Sequence, residues 1–178
     1  MQVEIKANGK SIQAEISEEQ AKILGLVEER SRTGYERVKN NEIYYLVDIY
    51  DNIMRITEYN DQDDKQSYDT GNYYSDRNIA ENNARADRLQ RCLRQWQAQN
   101  DKPISMSDWK NDNILKYYVD YDCFNELFFV TYAVRRRSLN NIYFTSEEKA
   151  EKAIKVFEDE LLWYFTKYVQ RLDEMQND

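Results

Sequence analysis

Fifteen tyrosines, two arginine clusters and scattered carboxylates are the residues of this 178-residue chain that could do chemistry, and there is no histidine among them. Without imidazole there is no ring base, no imidazole metal ligand and no conventional nucleophile–His–acid triad. The two cysteines, Cys92 and Cys123, form no CxxC pair, so neither a zinc site nor a disulfide framework is expected. Asp61, Asp63 and Asp64 have a superficial calcium-loop spacing. The glycine after the third ligand and the closing bidentate Glu are both missing, so the stretch reads as a solvated turn. No carboxylate pair is singled out for acid–base work. GxGxxG, Walker, GxSxG and HExxH patterns are all missing, and four glycines leave little material for a phosphate cradle. No catalytic residue, metal site or cofactor is therefore assigned.

Two basic features stand out from an acidic average. Arg85, Arg88, Arg91 and Arg94 recur at a spacing of three, and Arg135, Arg136 and Arg137 follow a predicted strand. They read either as a solvated face with a charged strand end, or as candidate phosphate contacts tracking a nucleic-acid backbone. Many tyrosines fall in predicted strands: Tyr44, Tyr45, Tyr59, Tyr73, Tyr74, Tyr117, Tyr118, Tyr121, Tyr132 and Tyr143. Adjacent pairs place one ring on each sheet face. The rings serve either cross-strand packing or a partner interface, where tyrosine offers wide contact area and a polar tip at small entropic cost. For the second role the candidate partner-binding residues are Tyr44, Tyr73, Tyr117, Asp120, Asp122 and Tyr132.

The elements that must position these groups follow from hydropathy and turn chemistry. Net charge is −8, 41% of residues are hydrophobic and mean hydropathy is −0.94, yet the aromatic content argues for a folded chain. Neither a signal peptide nor a membrane span is expected, which predicts a cytoplasmic protein. Val3, Ile5 and Ala7 alternate, Asn8 and Gly9 signal a tight turn, and Ile12, Ala14 and Ile16 alternate again. Ser17 with Gln20 makes a capping box for a short helix ending near Gly25, and Glu28 to Gly34 reads as a linker.

Beyond it one pattern is written twice. Residues 43–48, 52–57 and 72–75 precede a helix from Asp76, and residues 116–120, 125–131 and 142–145 precede one from Ser146. Ser75 or Asp76, and Thr145 or Ser146, are placed to cap those helices. Apolar periodicity extends the second helix through Tyr168 and Leu172. The expected fold is α+β, with short antiparallel sheets each followed by a helix. It comprises an N-terminal β-hairpin–helix unit (1–30) and two pseudo-repeated β-β-β-α halves (35–100 and 104–178), the second with a long C-terminal helix. Asn100 to Pro103 carries the only proline and reads as the internal boundary.

The stretch Asn141 to Ile154, its weaker echo Gly71 to Asp76, and the strand–turn–strand–capped-helix opening Val3 to Gln20 resemble small acidic phage and prophage proteins of Firmicutes. The likeness covers about half the chain, rests on structural motifs, and carries no catalytic residue over. It implies accessory or anti-defence roles, including those of anti-CRISPR proteins, many of which bind an effector nuclease and block its nucleic-acid channel. The expected function is a non-enzymatic inhibitor of a host nucleic-acid-targeting complex, because an acidic ligand is steered toward a basic groove and buried rings then slow its release. The alternatives are a nucleic-acid-binding accessory factor using the arginines, and a structural phage protein or homodimer. No membrane partner is expected.

Overall fold

In the computed structural model, which describes residues 2–7, 10–24 and 32–174, three antiparallel two-stranded sheets alternate with helices in an α+β arrangement. The chain divides into two units, Met1–Thr33 and Gly34–Asp178. In the first, β1 (Gln2–Ala7) pairs with β2 (Lys10–Glu15), with Val3 opposite Ala14, Ile5 opposite Ile12 and Ala7 opposite Lys10. Helix α1 (Glu18–Ile23) opens on the expected capping box: Gln20 N donates to Ser17 Oγ at 3.1 Å, and Ser17 N donates to Gln20 Oε1 at 3.0 Å. The Asn8–Gly9 turn, the Gly25 stop and most of the expected linker lie outside the described residues.

Gly34 corrects the linker boundary. It is buried at the start of the second unit, with φ at +93°, and a Cβ there would stand 2.8 Å from Ile79 Cγ1. Its carbonyl accepts from Ser75 N at 2.8 Å, so glycine is required by both backbone conformation and close approach. The hairpin of β3 (Ile43–Val47) and β4 (Ile53–Thr57) follows. Asp48 closes its turn, accepting from Tyr50 N and Asn52 N at 2.8 Å each, while Asp51 takes the left-handed conformation that short acidic side chains tolerate.

A helix then stands where a solvated turn was expected. Asp61 caps α2 (Gln62–Asp69) by accepting from Asp63 N at 2.9 Å and Asp64 N at 3.0 Å. Helix α3 (Arg77–Asn100) starts at Asp76, whose carboxylate accepts from Asn78 N at 2.8 Å and Ile79 N at 3.1 Å. After Pro103 comes one short turn, α4 (Met106–Trp109), and then the hairpin of β5 (Lys116–Asp122) and β6 (Leu127–Ala133). Asp122 caps that hairpin's turn through Phe124 N and Asn125 N. The last helix, α5 (Glu147–Thr166), has Ser146 in the cap conformation without a side-chain cap bond, and it bends at Phe157.

The third strand expected in each half is reduced to one bridge. Tyr45 and Tyr74 exchange backbone hydrogen bonds of 2.8 and 2.9 Å, and Tyr117 and Phe144 exchange bonds of 2.9 and 2.7 Å. Each bridge hands the chain directly to a long helix. Residues 35–100 and 104–178 share one unit because α3 serves two clusters. Ile79 and Ala80 pack with Tyr74 under the first hairpin, whereas Leu89 and Leu93 pack with Phe144, Ala153 and Leu161 under the second. The Asn100–Pro103 boundary is itself tied down, since Asp101 accepts from Thr145 N at 2.6 Å and pairs with Lys149 at 2.9 Å. The C-terminal helix ends at Thr166, short of the expected Leu172. Tyr168 OH donates instead to Asn83 Oδ1 at 2.8 Å, Asn82 Nδ2 donates to Val169 O at 3.2 Å, and Val169 and Leu172 pack on the Tyr74–Ile79–Ala80 cluster. Tertiary cover for that cluster outweighs the helical periodicity of the last segment.

Candidate functional site

The structure creates a carboxylate pair that the sequence does not single out. Glu58 and Asp64 are 0% and 2% exposed. Glu58 receives Arg37 Nη2 at 2.8 Å, Tyr73 OH at 2.7 Å and Asn60 N at 2.9 Å. Asp64 receives Tyr44 OH at 2.9 Å and Tyr59 N at 2.7 Å. Burial alone would raise both carboxyls, but these donors outweigh it and hold both below their ordinary values. Burial, then the bond to Asp64, pushes the Tyr44 hydroxyl up to about 12. None of the four principal cavities is lined by these side chains. With their oxygens occupied by these donors, the two carboxylates form a structural cross-link between the end of β4, the start of α2 and two tyrosines. The Asp61-x-x-Asp64 capping spacing was the available signal for α2, but nothing local marks Glu58.

Tyr44 and Tyr73 therefore leave the list of partner-binding candidates. They are 1% and 2% exposed and stacked with ring centroids 4.0 Å apart, so neither ring offers a surface to a partner. Adjacent tyrosines do not always divide between an inner and an outer face: Tyr73 and Tyr74 are both buried. Tyr59 lies beyond β4 and is exposed.

The arginines separate into paired and unpaired groups. Arg85 makes a bidentate pair with Glu160, at 2.9 and 3.1 Å, with its guanidinium 4.0 Å from the Trp163 ring centroid. Arg91 pairs with Asp51 and Arg135 with Asp112. Arg88, Arg94, Arg136 and Arg137 are exposed and make no ion pair among the described residues. A spacing of three drifts about 60° backward per step on a helix, so the row winds around α3 and does not track one line. Tertiary structure instead brings Arg94 and Arg137 to one cavity of about 420 Å³, whose lining holds no carboxylate. The Arg137 guanidinium lies 5.9 Å from the Trp109 ring centroid there. Lys116 is fully buried with its Nζ 5.2 Å from the same ring centroid, donating to Val134 O at 2.7 Å.

The remaining tyrosine and aspartate candidates share one hairpin but divide between its two faces. Tyr117, Asp120, Asp122 and Tyr132 all stand on the β5–β6 hairpin, with Tyr117 directly opposite Tyr132. Tyr117 and Asp120 are half-buried, and Asp120 lines a partly open cavity. Asp122 is held below its ordinary value by hydrogen bonds from the Asn125 side chain and its turn's backbone. Four large apolar side chains not singled out above are also exposed: Phe124, 92%, at the hairpin turn, Leu127, 54%, and Phe129, 41%, on one face of β6, and Leu139, 95%, beyond its end, while Tyr132, 56%, stands on the other face of β6 with Tyr117. Strand β5 is bridged on its far side by Phe144, whereas β6 pairs with β5 alone, so its outer edge is unpaired among the described strands. Such an edge, apolar and without proline, is a template for another chain.

Both cysteines are free, Cys92 half-buried in α3 and Cys123 exposed at the β5–β6 turn. Among the described residues no helix is long and apolar enough to cross a membrane, and no cluster of His, Cys, Asp or Glu is arranged to hold a metal ion. No family model matches the chain, and neither the curated proteins nor the solved structures yield a match.

Proposed function

We propose that this chain is a non-enzymatic binding protein of a phage or mobile element that docks on a host nucleic-acid-targeting complex, most concretely a CRISPR effector nuclease, and occludes its nucleic-acid channel. One observation carries the reading: the unpaired β6 edge presents Leu127 and Phe129, exposed on one face, beside the acidic turn of Asp122 and Glu126, on a protein of net charge −8. Negative charge steers the encounter with a basic groove, and burial of the exposed rings then slows dissociation. The saturated Glu58–Asp64 pair favours binding over acid–base catalysis. The resemblance to small acidic phage proteins supports the same setting, the cytoplasm of the host. The two hairpin–bridge–helix segments, with the α2 insertion in the first, are read as copies of one β-β-β-α pattern.

Co-elution with purified CRISPR effectors and inhibition of cleavage test this reading. Leu127→Lys and Phe129→Lys, whose side chains are exposed, are expected to keep the wild-type melting temperature and to weaken inhibition by about tenfold or more. An effector panel that neither co-elutes nor loses cleavage activity, or inhibition that survives both substitutions, removes the reading.

A second reading rests on a separate observation, the carboxylate-free cavity shared by the unpaired Arg94 and Arg137. There the chain is an accessory factor that holds nucleic-acid phosphate with those two guanidiniums. A gel shift that fades with salt and is lost in Arg94→Gln/Arg137→Gln favours it, and no shift at low salt excludes it.

A further inference from the structure

A cavity of about 290 Å³ lies within the second unit between α3, β5, residues 140–142 and α5. Leu93, Phe144, Leu161 and Phe165 give it an apolar wall, and Tyr118 and Tyr164 add aromatic faces. Its volume is at the lower end for small-molecule pockets, which run from about 300 Å³ upward. Gln90, Asp120, Asn140 and Asn141 are the amide and carboxylate side chains of the lining, and the acceptors of the first two decide what would fit. Gln90 Oε1 is buried with no hydrogen-bond partner, the one such side-chain atom found among the described residues. Asp120 spends one carboxylate oxygen on Tyr121 N, at 2.9 Å, and no side-chain donor among the described residues meets it.

A buried acceptor without a donor is costly, and native structures leave few of them. A bridging water would meet both acceptors but would leave the apolar wall of the cavity unfilled. Both Gln90 Oε1 and the Asp120 carboxylate accept, so the missing group is a donor. An ammonium carries three donors and no acceptor, and aromatic faces attract cations.

We infer that this cavity is a binding site for a small organic cation, a primary amine on a compact aromatic or branched aliphatic body. The body fills the space between Leu93, Phe144, Leu161 and Phe165. The ammonium donates to Gln90 Oε1 and Asp120. The site includes neither Leu127 and Phe129 of the β6 edge nor Arg94 and Arg137, although its lining shares Asn141 and Ile142 with the arginine cavity.

The probe is 2-phenylethylamine, titrated into the full chain and followed by amide chemical shifts. Saturable shifts are expected at Gln90, Asp120, Phe144 and Leu161, with a dissociation constant of about millimolar for so few heavy atoms. The isosteric neutral alcohol, 2-phenylethanol, should bind about tenfold or more weakly, as should the amine to Gln90→Leu. Asp120→Asn, conservative in shape, provides the second variant should Gln90→Leu fail to fold, with the same loss expected. Shifts that do not saturate, shifts scattered over the acidic surface, equal binding of the alcohol, or amine binding unchanged in a folded variant would each overturn the assignment.

Discussion

Replacing Glu58 by Gln tests the claim that the buried carboxylate cross-links the first half of the second unit. Glu58 is fully buried and gathers Arg37 Nη2 at 2.8 Å, Arg37 Nε at 3.4 Å, Tyr73 OH at 2.7 Å and Asn60 N at 2.9 Å. Every one of these is a donor. In Glu58→Gln the amide oxygen keeps two of them, while the amide nitrogen turns its own hydrogens toward Tyr73 OH or Arg37. Tyr73 OH already accepts from Val38 N at 3.1 Å, so its proton loses its acceptor inside the fold. A hydrogen bond to a charged group contributes about 1.5–3 kcal/mol, and removing one partner of a buried pair leaves the other uncompensated. Arg37 is 31% exposed, so water recovers part of its loss. The expected cost is about 2–4 kcal/mol. At about 2–4 °C per kcal/mol for a domain of this size, the melting temperature should fall by roughly 5–15 °C. Thermal unfolding followed by circular dichroism reads this directly. Tyr73→Phe and the double variant close a cycle in which the two losses should be strongly non-additive. A Glu58→Gln protein that melts within about 2 °C of wild type, or additive losses, would show that the charge at Glu58 is not required, and the reasoning would fail.

Three further outcomes follow. Glu58, Asp64 and Asp101 are held below their ordinary values, so their contribution is complete above the unfolded carboxylate range and is lost as pH falls through the folded values; denaturant midpoints should drop below about pH 4, and a flat acid limb would contradict the assignment. Tyr44 and Tyr74, pushed up to about 12 chiefly by burial, have the opposite sign: their contribution is complete below pH 10 and declines between there and 12, so part of the tyrosinate absorbance should develop only with unfolding. Gly34→Ala places a Cβ 2.8 Å from Ile79 at φ +93°, and should cost about 1–3 kcal/mol in urea unfolding with an unchanged slope; wild-type stability would show that neither the approach nor the conformation matters.

The elements legible from sequence are those whose signals are local. Ser17 with Gln20 and Asp76 with the amides two and three residues on cap their helices as expected. Hairpin pairing is legible too, because alternation and a short turn set the register. Where two local readings competed, tertiary contact chose. Thr145 lies next to a helix start but turns to Asp101, and Tyr168 continues an apolar helical stripe yet leaves the helix to reach Asn83. The α2 helix was readable from Asp61 and Asp64 as a cap, but a polar segment with little apolar periodicity concealed it.

By itself the sequence determined the acidic balance, the lack of an imidazole, the hairpins and most helix starts, since each depends on residue type or on neighbours within one turn. Only the tertiary structure decided which tyrosines are interior, that Glu58 meets Asp64, that Arg94 shares a cavity with Arg137, and that β6 keeps an open edge. These depend on what docks against each face, and residues far apart in the chain supply that cover. Burial, which turns the same carboxylate or ring from a surface group into a cross-link, is a property of the assembled fold.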